Sequence, residues 1–219
     1  KHLSNWLPIQ LCGYHFRDAG GNAIHEIAFT LADAITYIEE TLKRGLKVDD
    51  FVPQFVFHMA ANLDVFEEAA KFRALRRIWA RLMKERFGAK DPRSMKAKIS
   101  LYTAGSTLTA QQPMNNIVRV AAAAMAAILG GVQYAFCSSM DEPFQTPSEE
   151  SARVAIRTQQ IIAHELGVID TVDPLAGSYY VESLTNQMEE KVVDYLKKIE
   201  SMGGSMAAIE KGFYQTEIS

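Results

Sequence analysis

Tyr14 and His15 close an apolar run, Leu7-Pro8-Ile9-Gln10-Leu11-Cys12-Gly13, and precede the glycine-punctuated link Phe16-Arg17-Asp18-Ala19-Gly20-Gly21. A histidine at that junction could move protons, because imidazole alone among the side chains titrates near neutrality unperturbed. It could equally cap a strand end by hydrogen-bonding a backbone carbonyl. A tyrosine there packs more often than it reacts. Adjacent residues on a regular strand point to opposite faces, so either the chain bends here or only one of the pair faces a site. Three further candidate strands end on Phe57, His58, Tyr102, Thr103, Gly105, Ser138, Ser139 and Glu142. This set is aromatic and polar, with a single acid. It contains neither the paired carboxylates of a glycosidase nor a nucleophile-elbow serine. It also lacks a His/Asp/Glu run suited to a metal, and His15 with His58 has no third ligand, so no metal is expected.

The elements that must position these groups follow from hydrophobic spacing. A strand over the opening run feeds a helix from Asn22 to about Gly45, with Ile24, Ile27, Leu31, Ile35, Ile38 and Leu42 on one stripe. Phe51–Met59 reads as the second strand, with Pro53 tolerated near its beginning. Asp64 and Glu67 are spaced as a capping pair for a second helix. That helix buries Phe72, Leu75, Trp79, Leu82 and Met83. Its other face, Arg73, Arg76, Arg77, Arg81 and Lys84, reads as a solvated surface balanced by Glu67, Glu68 and Glu85. Ala97–Thr103 is the third strand and Val132–Ser139 the fourth, separated by an alanine-rich helix entered at Asn115-Asn116. Ser148 caps the next helix, with Glu149 and Glu150 in its first turn. Helices over about Val181–Met202 and Met206–Gly212 end the pattern.

Strand–helix is therefore written four times, at intervals of roughly 35 to 45 residues, the period of a βα unit with generous loops. The fold class is α/β: half of an eight-fold barrel, or a small doubly wound sheet. No Gly-x-Gly-x-x-Gly follows a strand and no phosphate-loop pattern occurs, which favours the half-barrel. Residues 1–169 form that half-barrel in this reading, and 170–219 are linker helices. The formal net charge of −3 argues against a nucleic-acid or anionic-membrane partner. Cys12 and Cys137 sit apart in apolar runs, as reduced thiols in a cytoplasmic protein would. No leader and no membrane-length apolar run is evident. The immediate entry into a strand suggests part of something larger, and open half-barrel edges would favour self-association.

Gly13-Tyr14-His15-Phe16-Arg17-Asp18-Ala19-Gly20 resembles the active-site strand of the methylmalonyl-CoA mutase family, the adenosylcobalamin-dependent acyl-CoA mutases. So do Leu108-Thr109-Ala110-Gln111-Gln112-Pro113-Met114-Asn115-Asn116, Asp141-Glu142, and Asp173-Pro174-Leu175-Ala176-Gly177-Ser178-Tyr179. The resemblance runs nearly end to end. It implies the second half of a (β/α)8 barrel, with linker helices leading towards a cobalamin domain or small subunit. It implies a radical carbon-skeleton isomerisation of an acyl-CoA thioester, completed only by the N-terminal half-barrel. His15 falls on the family histidine that hydrogen-bonds the thioester carbonyl, with Tyr14 beside it. Gly105 and Glu142 fall on adenosylcobalamin contacts, Glu142 holding the adenosyl ribose. Ser138 stands where an asparagine helps hold that ribose, and Gln133, Asp18 and Gln145 are placed with the cofactor too.

The acyl-CoA side departs from type. Gln54 and Val56 replace an arginine and a serine, Ser100 and Tyr102 replace a histidine and a glutamine, and Phe57 adjoins them. These changes imply a kept scaffold with an altered pocket. The Asp-x-His-x-x-Gly segment that gives cobalt its lower ligand is absent, so the cofactor would be bound mainly outside this chain. A non-catalytic half-barrel serving in assembly or acyl-CoA binding is the alternative.

Overall fold

Four strands, β1 (Gln10–Cys12), β2 (Val56–Ala61), β3 (Ile99–Thr103) and β4 (Tyr134–Phe136), lie parallel in the order β1-β2-β3-β4. The computed structural model describes residues 6, 7 and 9–219; His2 and Pro8 fall outside them. Helices α1 (Tyr14–Asp18), α2 (Ala23–Lys43), α3 (Val48–Phe51), α4 (Val65–Arg81), α5 (Asn115–Leu129), α6 (Glu149–His164), α7 (Tyr179–Ser201), α8 (Ser205–Glu210) and α9 (Phe213–Ile218) complete the described chain. Four consecutive parallel βα units with adjacent strand order are the architecture of half a (β/α)8 barrel. No described helix is long and apolar enough to cross a membrane.

Strand alternation divides the sheet into two faces. Phe57, Met59, Ile99 and Leu101 are fully buried towards the helices, and the Phe57 ring meets Trp79 of α4 edge-on at 4.9 Å. Each such side chain removed from water contributes about 1.5–3 kcal/mol. Val56, His58 and Ala60 occupy the other face, beside Ser100, Tyr102, Tyr134 and Phe136 in register. The helices start where side chains satisfy their free N–H groups. Asn22 accepts from Ile24 and His25, Asp64 from Glu67, and Ser148 from Ser151.

β1 ends early, and a buried charge cluster fills the place it leaves. After Cys12, opposite His58, no strand continues along the β1 side of Ala60. Glu26 of α2 accepts the Ala60 N–H at 2.6 Å, and Lys71 of α4 donates to the Ala60 carbonyl at 2.7 Å. Lys71 also pairs with Glu26 at 2.8 Å and Glu68 at 2.5 Å, all three side chains being sealed from solvent. Arg17 of α1 closes the charge balance on Glu68 at 3.4 Å. Burial alone would neutralise Lys71, but Glu26 and Glu68 outweigh it and hold the ammonium charged. Gly13 is required beside this cluster. A Cβ there would stand 2.6 Å from Thr30 Oγ1 and 2.8 Å from Met59 Sδ.

Three sequence expectations are corrected. The second strand begins at Val56, because Val48–Phe51 is a helical turn and Val52–Gln54 a 3-10 turn with Pro53 in its first positions. A fixed φ and a missing N–H suit proline to that place. The basic face of α4 is solvated only in part: Arg77, Arg81 and Lys84 are exposed, as expected, but Arg73 is not. Arg73 is buried against α7 and its approach, pairing with Asp173 at 2.9 Å and Glu182 at 2.6 Å and donating to Thr185 at 2.9 Å. Arg77 and Arg81 both pair with Glu189. The final short helix is followed by α9, whose Tyr214 stacks on Phe29 at 4.0 Å. The helices after residue 170 thus share the main core, through Met188, Val192, Leu196, Ile199 and Tyr214.

Candidate active site at the strand ends

The chain bends at Gly13, so Tyr14 and His15 open α1 rather than ending a strand. The Gly13 N–H donates to the His58 carbonyl at 2.9 Å, the last ladder bond of β1, and the helix turns both side chains to the carboxyl-end rim. The Tyr14 ring centre lies 5.9 Å from His15, 5.8 Å from His58 and 5.6 Å from Tyr102. Its hydroxyl accepts the Gly105 N–H at 3.4 Å. Tyr102 donates to Glu142 Oε2 at 3.1 Å. A Cβ on Gly105 would stand 2.9 Å from Glu142 Oε1 and 3.7 Å from the Tyr14 hydroxyl, so glycine keeps a small polar cradle open. Burial pushes the Tyr14 and Tyr102 phenols up, so both remain neutral donors at pH 7.

The loop that delivers Glu142 is braced by its neighbour. Asp141 Oδ2 accepts from Gln145 at 2.8 Å, from the Ser148 N–H at 3.1 Å and from Ser151 at 2.7 Å. Burial would raise the Asp141 carboxyl, but these hydrogen bonds outweigh it and hold it well below the carboxylate range. Ser138 is buried; its hydroxyl donates to the Thr103 carbonyl at 2.6 Å and its N–H to Thr103 Oγ1 at 2.8 Å.

Other sequence candidates are placed elsewhere. The fully buried Phe57 ring points at Trp79, away from the inner face, because it is out of phase with His58 on the strand. Gln133 lies at the amino end of β4, accepting the Ile99 N–H at 2.7 Å and donating to the Gly131 carbonyl at 2.6 Å, far from the Glu142 rim in register. Gln54 also lies at an amino end, in the turn before β2. Both line a groove of about 930 Å³ with Lys98, Arg76 and Arg93. Val56 begins the inner face, Gln145 is spent on Asp141, and Asp18 is exposed at the end of α1. Ser151, Lys71 and Glu26 support the site without standing out in the sequence. Only the capping position of Ser148, three residues before Ser151, hinted at the first. Among the described residues no group of three His, Cys, Asp or Glu could hold a metal ion.

Residues 1–219 match the family described as Methylmalonyl-CoA mutase. This chain belongs to the methylmalonyl-CoA mutase family. It is 48% identical over its whole length to the 2-hydroxyisobutanoyl-CoA mutase large subunit of Aquincola tertiaricarbonis, covering 39% of that protein. It is 44% identical to the methylmalonyl-CoA mutase of Rhizobium meliloti over 97% of this chain, covering 30% of that enzyme. The methylmalonyl-CoA mutase of Escherichia coli is 43% identical over 96% of this chain, with 29% of its own length covered. The chain therefore spans about a third of these relatives.

In this mutase-family chain the Asp141 carboxylate makes the Glu142 loop acid-sensitive. Its folded-state pKa is depressed, so its stabilising share is complete above the unfolded value of about 4 and is lost as pH falls below it. Asp141→Asn is expected to lower the thermal midpoint at pH 7 and to flatten its decline below about pH 4. An identical pH dependence in variant and wild type would contradict this role.

Proposed function

We propose that this chain is the C-terminal half of the catalytic barrel of an adenosylcobalamin-dependent acyl-CoA mutase, an isomerase. The observation that carries this reading is the common rim of Tyr14, His15, Tyr102, Gly105 and Glu142. The cradle at Gly105 suits a ribose, whose hydroxyls donate to a carboxylate, and Glu142 Oε1 borders the space. When bound, the cofactor supplies the initiating radical by homolysis of its cobalt–carbon bond. Glu142, steadied by Tyr102, holds the adenosyl end at the rim. His15 donates to the thioester carbonyl and stabilises charge there, as an oxyanion-hole group does. The aromatic rings around it exclude water from the reacting carbons. The basic groove at the amino ends, where Gln54 stands, suits the anionic end of CoA.

In this reading residues 170–219 lead to a cobalamin-binding domain or small subunit, and an N-terminal half-barrel covers the inner face, in a cytoplasmic enzyme. Tyr134 and Phe136 are 53% and 55% exposed on that face. That openness is also what favours the second reading, a half-barrel that serves assembly or binding without catalysis. The test is to assemble the complete enzyme containing this chain with adenosylcobalamin and offer a panel of branched acyl-CoA esters. Carbon-skeleton isomers among the products are expected. Absence of turnover with every ester would leave the assembly reading.

A further inference from the structure

Asn116 stands in the first turn of α5 and is sealed from solvent. An asparagine in such a place ordinarily serves the backbone beside it. This one bridges two loops. Its Nδ2 donates to the Thr109 carbonyl and to the Met140 carbonyl, each at 2.8 Å. Its Oδ1 accepts the Thr109 N–H at 3.2 Å and Arg119 Nη1 at 2.8 Å. Two donors and two lone pairs are the full capacity of an amide, and all four are used. Thr109 follows Gly105 in the loop after β3, and Met140 precedes Asp141 and Glu142 in the loop after β4. These loops are the two walls of the rim cradle, where a Cβ on Gly105 would stand 2.9 Å from Glu142 Oε1. The return from Thr109 to α5 passes through Gln112 at φ 53, directly before Pro113. A residue ahead of proline avoids that conformation, and such backbone persists only where its surroundings hold it. Asp141 braces the Glu142 loop against α6; Asn116 braces it against the loop of Gly105.

We propose that Asn116 is a positioning residue that sets the width of the Gly105–Glu142 cradle and so aligns Glu142 with the adenosyl group of the cofactor. The inference rests on the adenosylcobalamin-dependent mutase reading and adds the residue that keeps the cradle in shape. Asn116 is fully buried, so it reaches no ligand itself and acts through the two loop carbonyls. An aspartate of the same shape keeps both acceptors but, ionised, offers no proton to either carbonyl. Its oxygens then face the carbonyl oxygens of Thr109 and Met140 and push the loops apart. Arg119 holds the amide in the orientation that points its NH2 group at both loops, because a guanidinium can only donate.

The test is equilibrium binding of adenosylcobalamin and methylcobalamin to the complete enzyme, since only the first carries an adenosyl group for the cradle. Wild type should prefer adenosylcobalamin, and Asn116→Asp should lower that preference about tenfold. In a Glu142→Gln background the same substitution should change the preference by less than about twofold, as a residue acting through Glu142 must. Equal losses in the two backgrounds would make Asn116 a general brace and overturn the proposal. An unchanged preference in the single variant would overturn it too. Far-UV circular dichroism establishes that each variant folds. Should Asn116→Asp fail to fold, the half-buried Arg119→Ala decides alone: a lowered preference supports the proposal and an unchanged one overturns it. A wild-type preference that no Asn116 or Arg119 variant moves removes this inference and leaves the mutase reading standing. Wild type binding both cobalamins equally, or neither, removes the reading and the inference with it.

Discussion

Replacing His15 with alanine is expected to lower turnover of the assembled enzyme by about two to four orders of magnitude. The side chain is exposed on α1 at the rim, against the edge of Tyr14, so its removal opens no core cavity. Stability should therefore stay within about 0.5 kcal/mol of wild type. The loss should appear equally in kcat and kcat/KM, the signature of a contact stronger in the transition state than in the ground state. His15→Gln, which keeps a donor, should recover part of the rate. Steady-state kinetics on the preferred ester decides the matter. A loss below about tenfold, or one carried wholly by KM, would reduce His15 to a binding contact.

Lys71→Met should be the most destabilising single change in the chain, by about 3–5 kcal/mol. It leaves Glu26 and Glu68 facing each other without a cation, and it leaves the Ala60 carbonyl without its donor. Folded domains are stable by only about 5–15 kcal/mol, so the variant approaches the unfolding threshold. Adding Glu26→Gln to Lys71→Met should restore part of the loss. The amide oxygen can still accept the Ala60 N–H, while one buried charge is gone. Denaturant midpoints of the three proteins measure both steps. If the double variant is no more stable than the single one, charge burial is not the source of the cost.

The same cluster ties stability to the site. Glu26 and Lys71 take up the backbone groups of Ala60 that β1 would have paired had it continued. Because β1 stops at Cys12, Gly13 can turn the chain and α1 can present Tyr14 and His15 together. Arg17, three residues into α1, is anchored to Glu68 of the same cluster. The helix that carries the candidate histidine is thereby fixed to α2, β2 and α4 at once.

What the sequence determined by itself was local. The stripes of α2 and α4, the caps at Asp64 and Ser148, and the order of strands and helices all follow from spacings of four residues or fewer. Such spacings record which face a helix buries and where its first turn finds an acceptor. The motifs around His15 and Glu142 also pointed to the family, since they lie within short continuous segments. The tertiary structure alone decided the rest. Arg73 reads as one cation on a polar face until Asp173 and Glu182, a hundred residues on, are folded against it. Phe57 reads as a rim residue until the start of β2 sets its phase and turns the ring to Trp79. Lys71, Glu26 and Glu68 look like surface charges until an early strand end leaves Ala60 needing a donor and an acceptor. Each of these depends on a partner distant in the chain, and burial converts that partner from a minor screened contact into a large term.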